Sequence, residues 1–162
     1  MKRREIIVAE NSGFCFGVRR AVETAYSILK QNANSERSIY ILGDIIHNPS
    51  VVAELENLGC RRINNLNEIR APEKAILIIR SHGAPKQIIE TAEALKIEVV
   101  NATCPFVRKI EKYIDTLITE GYEAVIIGDK NHPEVLSLTE SFEQRVKIAE
   151  NKNDVEQMRG LG

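Results

Sequence analysis

The run Ala75-Ile-Leu-Ile-Ile79 is five apolar, mostly β-branched residues with no polar position. That is the pattern of a parallel strand buried on both faces, not of a half-exposed hairpin strand. It is followed by Ser81-His-Gly-Ala-Pro85, and then by a stretch to Leu95 with helical periodicity. Strand, short polar loop and helix make one βα unit. The same unit recurs on both sides. Ile39–Leu42 reads as a strand before a helix at Pro49–Leu58. Val99-Val100 ends a strand before Pro105–Thr119. Ala124–Ile127 precedes a helix starting at Pro133, Val146–Ala149 is a last strand, and a short helix follows at Asp154–Met158. Upstream, Ile6–Glu10 reads as a strand. Gly17–Gln31 reads as a helix with Val18, Ala21, Val22, Ala25, Ile28 and Leu29 on one face. The expected class is α/β, with repeated βα units forming mainly parallel sheets.

The whole chain is compatible with that reading. Its 162 residues are 43% hydrophobic and 28% charged, enough apolar material for a core. Net charge is −1, from 22 basic and 23 acidic side chains, so no global basic field exists to hold nucleic acid. No apolar run approaches the roughly 18 residues of a membrane span. Met1-Lys-Arg-Arg-Glu5 imitates the charged start of a signal peptide, but the apolar Ile6–Ala9 is too short for its core. A soluble, cytoplasmic protein is expected. The two-lobe division expected from the pattern is residues 1–104 and 105–162, with a seam at Cys104–Pro105. The second unit is thin, and Arg159–Gly162 reads as a frayed tail.

Reactive residues fall at matching places in this alternation. Cys15 lies between the first strand and the first helix, and His47 lies just before the helix at Pro49. His82, Cys104 and His132 each follow a strand and precede a helix. Open parallel sheets bind ligands at that carboxyl edge. Pro49, Pro85, Pro105 and Pro133 fit the first position of their helices, so several helix N-termini point to one edge. Such termini favour anions and lower thiol pKa values, which suits phosphate and makes Cys15 and Cys104 candidate thiolates. Gly13 and Gly17, flanking Cys15, suggest close backbone approach to a bulky group, or turns. Cys60 differs: it follows Leu58-Gly59, a helix C-cap, and belongs to the opposite edge, where a structural role is expected. Three cysteines without a CxxC pair make neither a disulfide framework nor a zinc ribbon. From spacing alone three chemistries stay open: a metal or cluster site, a Cys–His hydrolase using Cys15, and a small phosphate- or metal-binding module without redox activity.

Five short motifs occur in order: Gly13-Phe-Cys-Phe-Gly-Val-Arg-Arg-Ala21, Ile46-His-Asn-Pro49, Ser81-His-Gly83, Ala102-Thr-Cys-Pro105 and His132-Pro-Glu-Val135. Together they resemble the LytB-type 4-hydroxy-3-methylbut-2-enyl diphosphate reductases of non-mevalonate isoprenoid biosynthesis, over roughly residues 6–135. The resemblance implies an oxidoreductase with three α/β lobes around a 4Fe-4S cluster. It implies Cys15 and Cys104 as two of three cluster ligands, and His47, His82 and His132 as diphosphate-binding residues. Glu134 is implied in proton delivery, with Asn48 and Thr103 in positioning roles. The implied reaction removes the allylic hydroxyl, giving isopentenyl and dimethylallyl diphosphate, with electrons from a ferredoxin or flavodoxin. The family's third cluster cysteine has no counterpart here, and Cys60 does not align with it. The chain is therefore expected to be an N-terminal piece, inactive or nearly so by itself. Its oligomeric state is left open.

Overall fold

The computed structural model describes residues 5–10, 12–142 and 145–159. Helix α1 (Phe16–Gln31) leads into strand β1 (Ser38–Leu42), helix α2 (Pro49–Asn57) and strand β2 (Arg61–Ile63). Strand β3 (Ala75–Ile79), helix α3 (Lys86–Ala94) and strand β4 (Glu98–Asn101) complete a four-stranded sheet. Helix α4 (Pro105–Thr119) then leads to a second, two-stranded sheet. It holds β5 (Ala124–Ile127) and β6 (Val146–Ala149), joined by helix α5 (Pro133–Phe142) and followed by α6 (Lys152–Gln157). Every strand pairing is parallel, as the βα pattern requires.

The first sheet has the order β2-β1-β3-β4. Side chains alternate across it. Ile39, Ile41, Ile76 and Ile78 meet Ala21, Val22, Ala25 and Leu29 of α1 and Leu55 of α2 on one face. Tyr40, Leu42, Leu77 and Ile79 meet Ala92 of α3 on the other. β3 is buried throughout because helices cover both faces. The connection leaving β1 runs to one flank of the sheet, and the connection leaving β3 runs to the other. The crevice between the carboxyl ends of β1 and β3 is thus a topological switch point, where such sheets take ligands.

Three expectations change, and one strand escapes the sequence reading. Ile6–Glu10 is not a strand: residues 5–9 have no regular structure, and Ile6 is 88% exposed. An apolar run becomes a strand only where a neighbour completes its hydrogen bonds, and none does so among the described residues. Burial on both faces holds for β3 but fails for β5, where Val125 and Ile127 are 51% and 81% exposed. There the apolar cluster of Ile114, Ala124, Leu138 and Val146 covers one face only. Pro85 precedes α3 as its N-cap instead of opening it, whereas Pro49, Pro105 and Pro133 are first helical residues. The edge strand β2, short and bearing two exposed arginines, carries no apolar run to announce it. Of the expected tail, Gly160–Gly162 lie outside the described residues.

Candidate functional site: three histidines beside two helix-capping cysteines

The loops that leave the sheet are stitched sideways after the strands end. The Ser81 amide donates to the Ile45 carbonyl at 3.1 Å, and the Cys104 amide donates to the Ser81 carbonyl at 2.9 Å. The Ala102 amide donates to the Ile79 carbonyl at 3.1 Å. These bonds extend the ladder beyond β1, β3 and β4 and set the loops of His47, His82 and Cys104 side by side. Asn48 then caps α2, its Oδ1 accepting from the amides of Ser50 and Val51 at 3.1 and 3.3 Å. That fixes His47 at the mouth of a helix N-terminus.

The three histidines, far apart in sequence, form a triangle. Ring centroids are 4.4 Å apart for His47–His82, and 5.8 Å for both His47–His132 and His82–His132. His132 comes from the second sheet, on the turn before α5, and its Nδ1 accepts from the Glu134 amide at 3.3 Å. His47 and His132 are exposed, whereas His82 is half-buried. Burial pushes His82 down to about 4, and His47, Arg80 and His132 add to the shift. Its ring is therefore neutral at physiological pH. His82 Nδ1 and the neighbouring Ser81 Oγ are buried without a hydrogen-bond partner among the described residues. Buried polar atoms are ordinarily satisfied, so these two retain unused hydrogen-bonding capacity.

The seat around them is tight. Gly83 has φ +87°, and a Cβ there would stand 2.8 Å from Ser137 Oγ and 3.4 Å from Thr103 Cγ2. Ser81, Thr103 and Ser137 are the buried polar residues among those described. The half-buried Arg80 sits behind His82, its Nε donating to the Gly83 carbonyl at 3.4 Å. Burial lowers its pKa. Arg80, Ser81 and Ser137 escaped the sequence reading. Ser81 was within its reach, lying inside the Ser81-His-Gly83 motif. Ser137 was not, because only the packing of α5 against the loop after β3 brings it near.

Cys15 and Cys104 are the N-cap residues of α1 and α4. Cys15 is exposed and Cys104 half-buried. Cys15 follows irregular chain, not a strand, which corrects its expected place at a strand end. α1 still brings it to this edge: a side chain at Gly17 would overlap Cys104 Sγ, so α1 and α4 meet where their N-termini converge. The bulky group expected beside Gly17 is thus the thiol of Cys104. Among the described residues no group of three or more His, Cys, Asp or Glu side chains is arranged to hold a metal ion. Cys60 lies in the core with Ile41, Ile45 and Leu55, and burial pushes its thiol up to about 12. That fits the structural role expected for it.

The family model for the LytB protein matches residues 6–160. The chain belongs to the LytB family. This LytB chain is 42% identical over 154 residues to the 4-hydroxy-3-methylbut-2-enyl diphosphate reductase of Caldanaerobacter subterraneus subsp. tengcongensis, covering 95% of the chain and 53% of that relative. It is 41% identical to the same-named reductase of Alkaliphilus oremlandii, covering 93% and 52%. The solved E-1-hydroxy-2-methyl-but-2-enyl-4-diphosphate reductase of Plasmodium falciparum superposes with a TM-score of 0.84 at 38% identity, covering 91% of the chain and 45% of that structure. The LytB chain thus spans about half the length of the curated relatives it matches. No helix among its described residues is long and apolar enough to cross a membrane.

Proposed function

We propose that this chain forms the first α/β lobe, residues 1–104, and part of a second, residues 105–162, of a cytoplasmic iron–sulfur reductase. The reductase would act on 4-hydroxy-3-methylbut-2-enyl diphosphate. The observation that carries the proposal is the convergence of His47, His82 and His132 into one triangle, with the unpartnered His82 Nδ1 and Ser81 Oγ buried in the same loop. A diphosphate offers several acceptor oxygens and high negative charge, and imidazole N–H groups and a hydroxyl are its natural donors. Helices α2 and α5 begin beside His47 and His132 and add their N-terminal dipoles. Because His82 is neutral when the site is empty, anion binding draws a proton onto it.

Cys15 and Cys104 fit as two ligands of a 4Fe-4S cluster. Both are uncommitted thiols at helix N-termini, and Gly17 leaves room at Cys104 Sγ. The third cysteine ligand is not Cys60, which is buried elsewhere, and so is absent from the three cysteines of this chain. When bound, the cluster would relay the electrons and provide a Lewis-acidic iron. The overall reaction breaks the allylic C–O bond, consumes two electrons and two protons, and releases water. Within this chain the histidines hold the diphosphate. Glu134, half-buried on the first turn of α5 two residues after His132, would deliver a proton from its carboxyl. Asn48 and Thr103 position their neighbours, and a ferredoxin or flavodoxin supplies the electrons.

Isothermal titration of this chain with inorganic pyrophosphate tests the anion site. Binding that falls about tenfold in His82→Ala and His47→Ala supports it, and no detectable binding to the wild-type chain would remove it. Anaerobic iron and sulfide reconstitution, read by visible absorption, tests the cysteines. A cluster that survives in both Cys15→Ser and Cys104→Ser would exclude them as ligands.

A further inference from the structure

The turn carrying Cys104 is held by an unusual clamp. Arg20, on the second turn of α1, reaches across to two backbone carbonyls of that turn. Nη1 donates to Thr103 O at 3.0 Å, and Nη2 donates to Asn101 O at 3.3 Å. The amides of the same turn are already committed. Ala102 donates to Ile79 O, Thr103 to Asn101 Oδ1 at 3.0 Å, and Cys104 to Ser81 O. Arg20 therefore completes a segment whose other side is tied to β3 and the His82 loop. Ala102 and Thr103 are buried, so the Thr103 carbonyl has little water to turn to if the guanidinium is removed. Arg20 has no carboxylate within ion-pair distance among the described residues, so its charge is given to these carbonyls.

The geometry matters because of what lies at each end. One turn before Arg20, on the same side of α1, is Gly17, which touches Cys104 Sγ. Two residues before Gly17 is Cys15. We propose that Arg20 is a positioning residue that locks the Asn101–Cys104 turn onto α1, so that the Cys15 and Cys104 thiols face each other before any metal is bound. The proposal rests on the reading of these two cysteines as joint ligands. A planar fork satisfies two carbonyls at once, whereas a lysine reaches one. The neighbouring Arg19 is exposed, has no such contact, and serves as an internal control.

The test uses the reduced 162-residue chain and 1,2-bis(maleimido)ethane. Mass spectrometry reads the ratio of Cys15–Cys104 cross-link to singly modified thiols, and thermal melting is followed in parallel. The wild-type chain and Arg19→Ala are expected to cross-link predominantly. Arg20→Ala should lower the ratio about tenfold while still melting cooperatively, and Arg20→Lys should fall between. A folded Arg20→Ala that cross-links like wild type overturns the inference and leaves the joint-ligand reading standing. A wild-type chain that gives only single adducts overturns both. Should Arg20→Ala not fold, the ratio for Arg20→Lys decides by the same criterion: a wild-type ratio overturns the clamp, and a reduced one supports it.

Discussion

The imidazoles of His47 and His82 stand 4.4 Å apart, centroid to centroid, with their planes tilted by 41°. Two cationic imidazoles at that distance would repel strongly, so the pair exists in this form only while at least one ring is neutral. The structure makes His82 that ring, by burying it and placing His47, Arg80 and His132 around it. In the proposed anion site, a bound anion would offset that repulsion and let the rings act as donors, a multiply charged anion more so than a singly charged one.

The first consequence is visible by NMR. The His82 C–H resonances should titrate with a midpoint near 4 in the empty chain. Added pyrophosphate should move that midpoint upward by about one unit or more, as a bound anion favours the charged ring. An unmoved midpoint at saturating pyrophosphate would place the anion away from His82.

Acid stability follows from the same residue. His82 titrates near 4 when folded, against an ordinary value of 6.5. The unfolded chain takes up the proton first as pH falls. The associated stability is complete above pH 6.5 and is lost as pH drops from there towards 4. Its size is roughly 2 kcal/mol after allowing for a half-buried ring. Urea midpoints at pH 7 and pH 4.5 should diverge more for wild type than for His82→Asn. Equal losses would assign the acid sensitivity to other groups.

The cysteines should separate sharply in iodoacetamide labelling. Cys15 is exposed and should react first, and Cys104, half-buried, should follow. Cys60, whose thiol is pushed up to about 12 by burial, should remain unmodified until the chain unfolds. Labelling of Cys60 in native conditions would contradict its place in the core.

Gly83→Ala should damage the site more than the fold. The left-handed φ of +87° and the nearness of Ser137 Oγ both oppose a methyl group. A cost of about 1–3 kcal/mol is expected in urea unfolding. Gly59→Ala shares the positive φ but meets nothing within 4 Å, and so isolates the backbone part. A Gly83→Ala chain that binds pyrophosphate as wild type would show that the Ser81–Gly83 turn tolerates displacement.

Some elements were legible because their signal is local. Ala75–Ile79 could hardly be anything but a buried strand, and Pro49, Pro105 and Pro133 mark helix starts through a missing N–H and a fixed φ. Ile6–Val8 carries an equally apolar signal and is no strand, because pairing belongs to two segments and not to one. β2 shows the converse: Arg61–Ile63 has a weak signal and becomes a strand because β1 is there to receive it. At the site, each histidine was identifiable by its place between a strand and a helix. Arg20 lies inside the Gly13–Ala21 motif, yet its clamping role was no more legible than that of Arg80, since nothing local distinguishes a clamping arginine from a solvated one.

The order of βα units, the carboxyl edge as the place of chemistry, and the identity of the Cys and His candidates follow from the residues read along the chain. These depend on side-chain period, backbone propensity and helix-end chemistry, all short-range. The closing of His47, His82 and His132 into one triangle, and the seating of Cys104 against Gly17, arise only in the folded molecule. So do the neutrality of His82 and the grip of Arg20 on Thr103 and Asn101. Each depends on distance and burial between segments remote in sequence. Those quantities are set when helices from both sheets pack together, and no single stretch of chain encodes them.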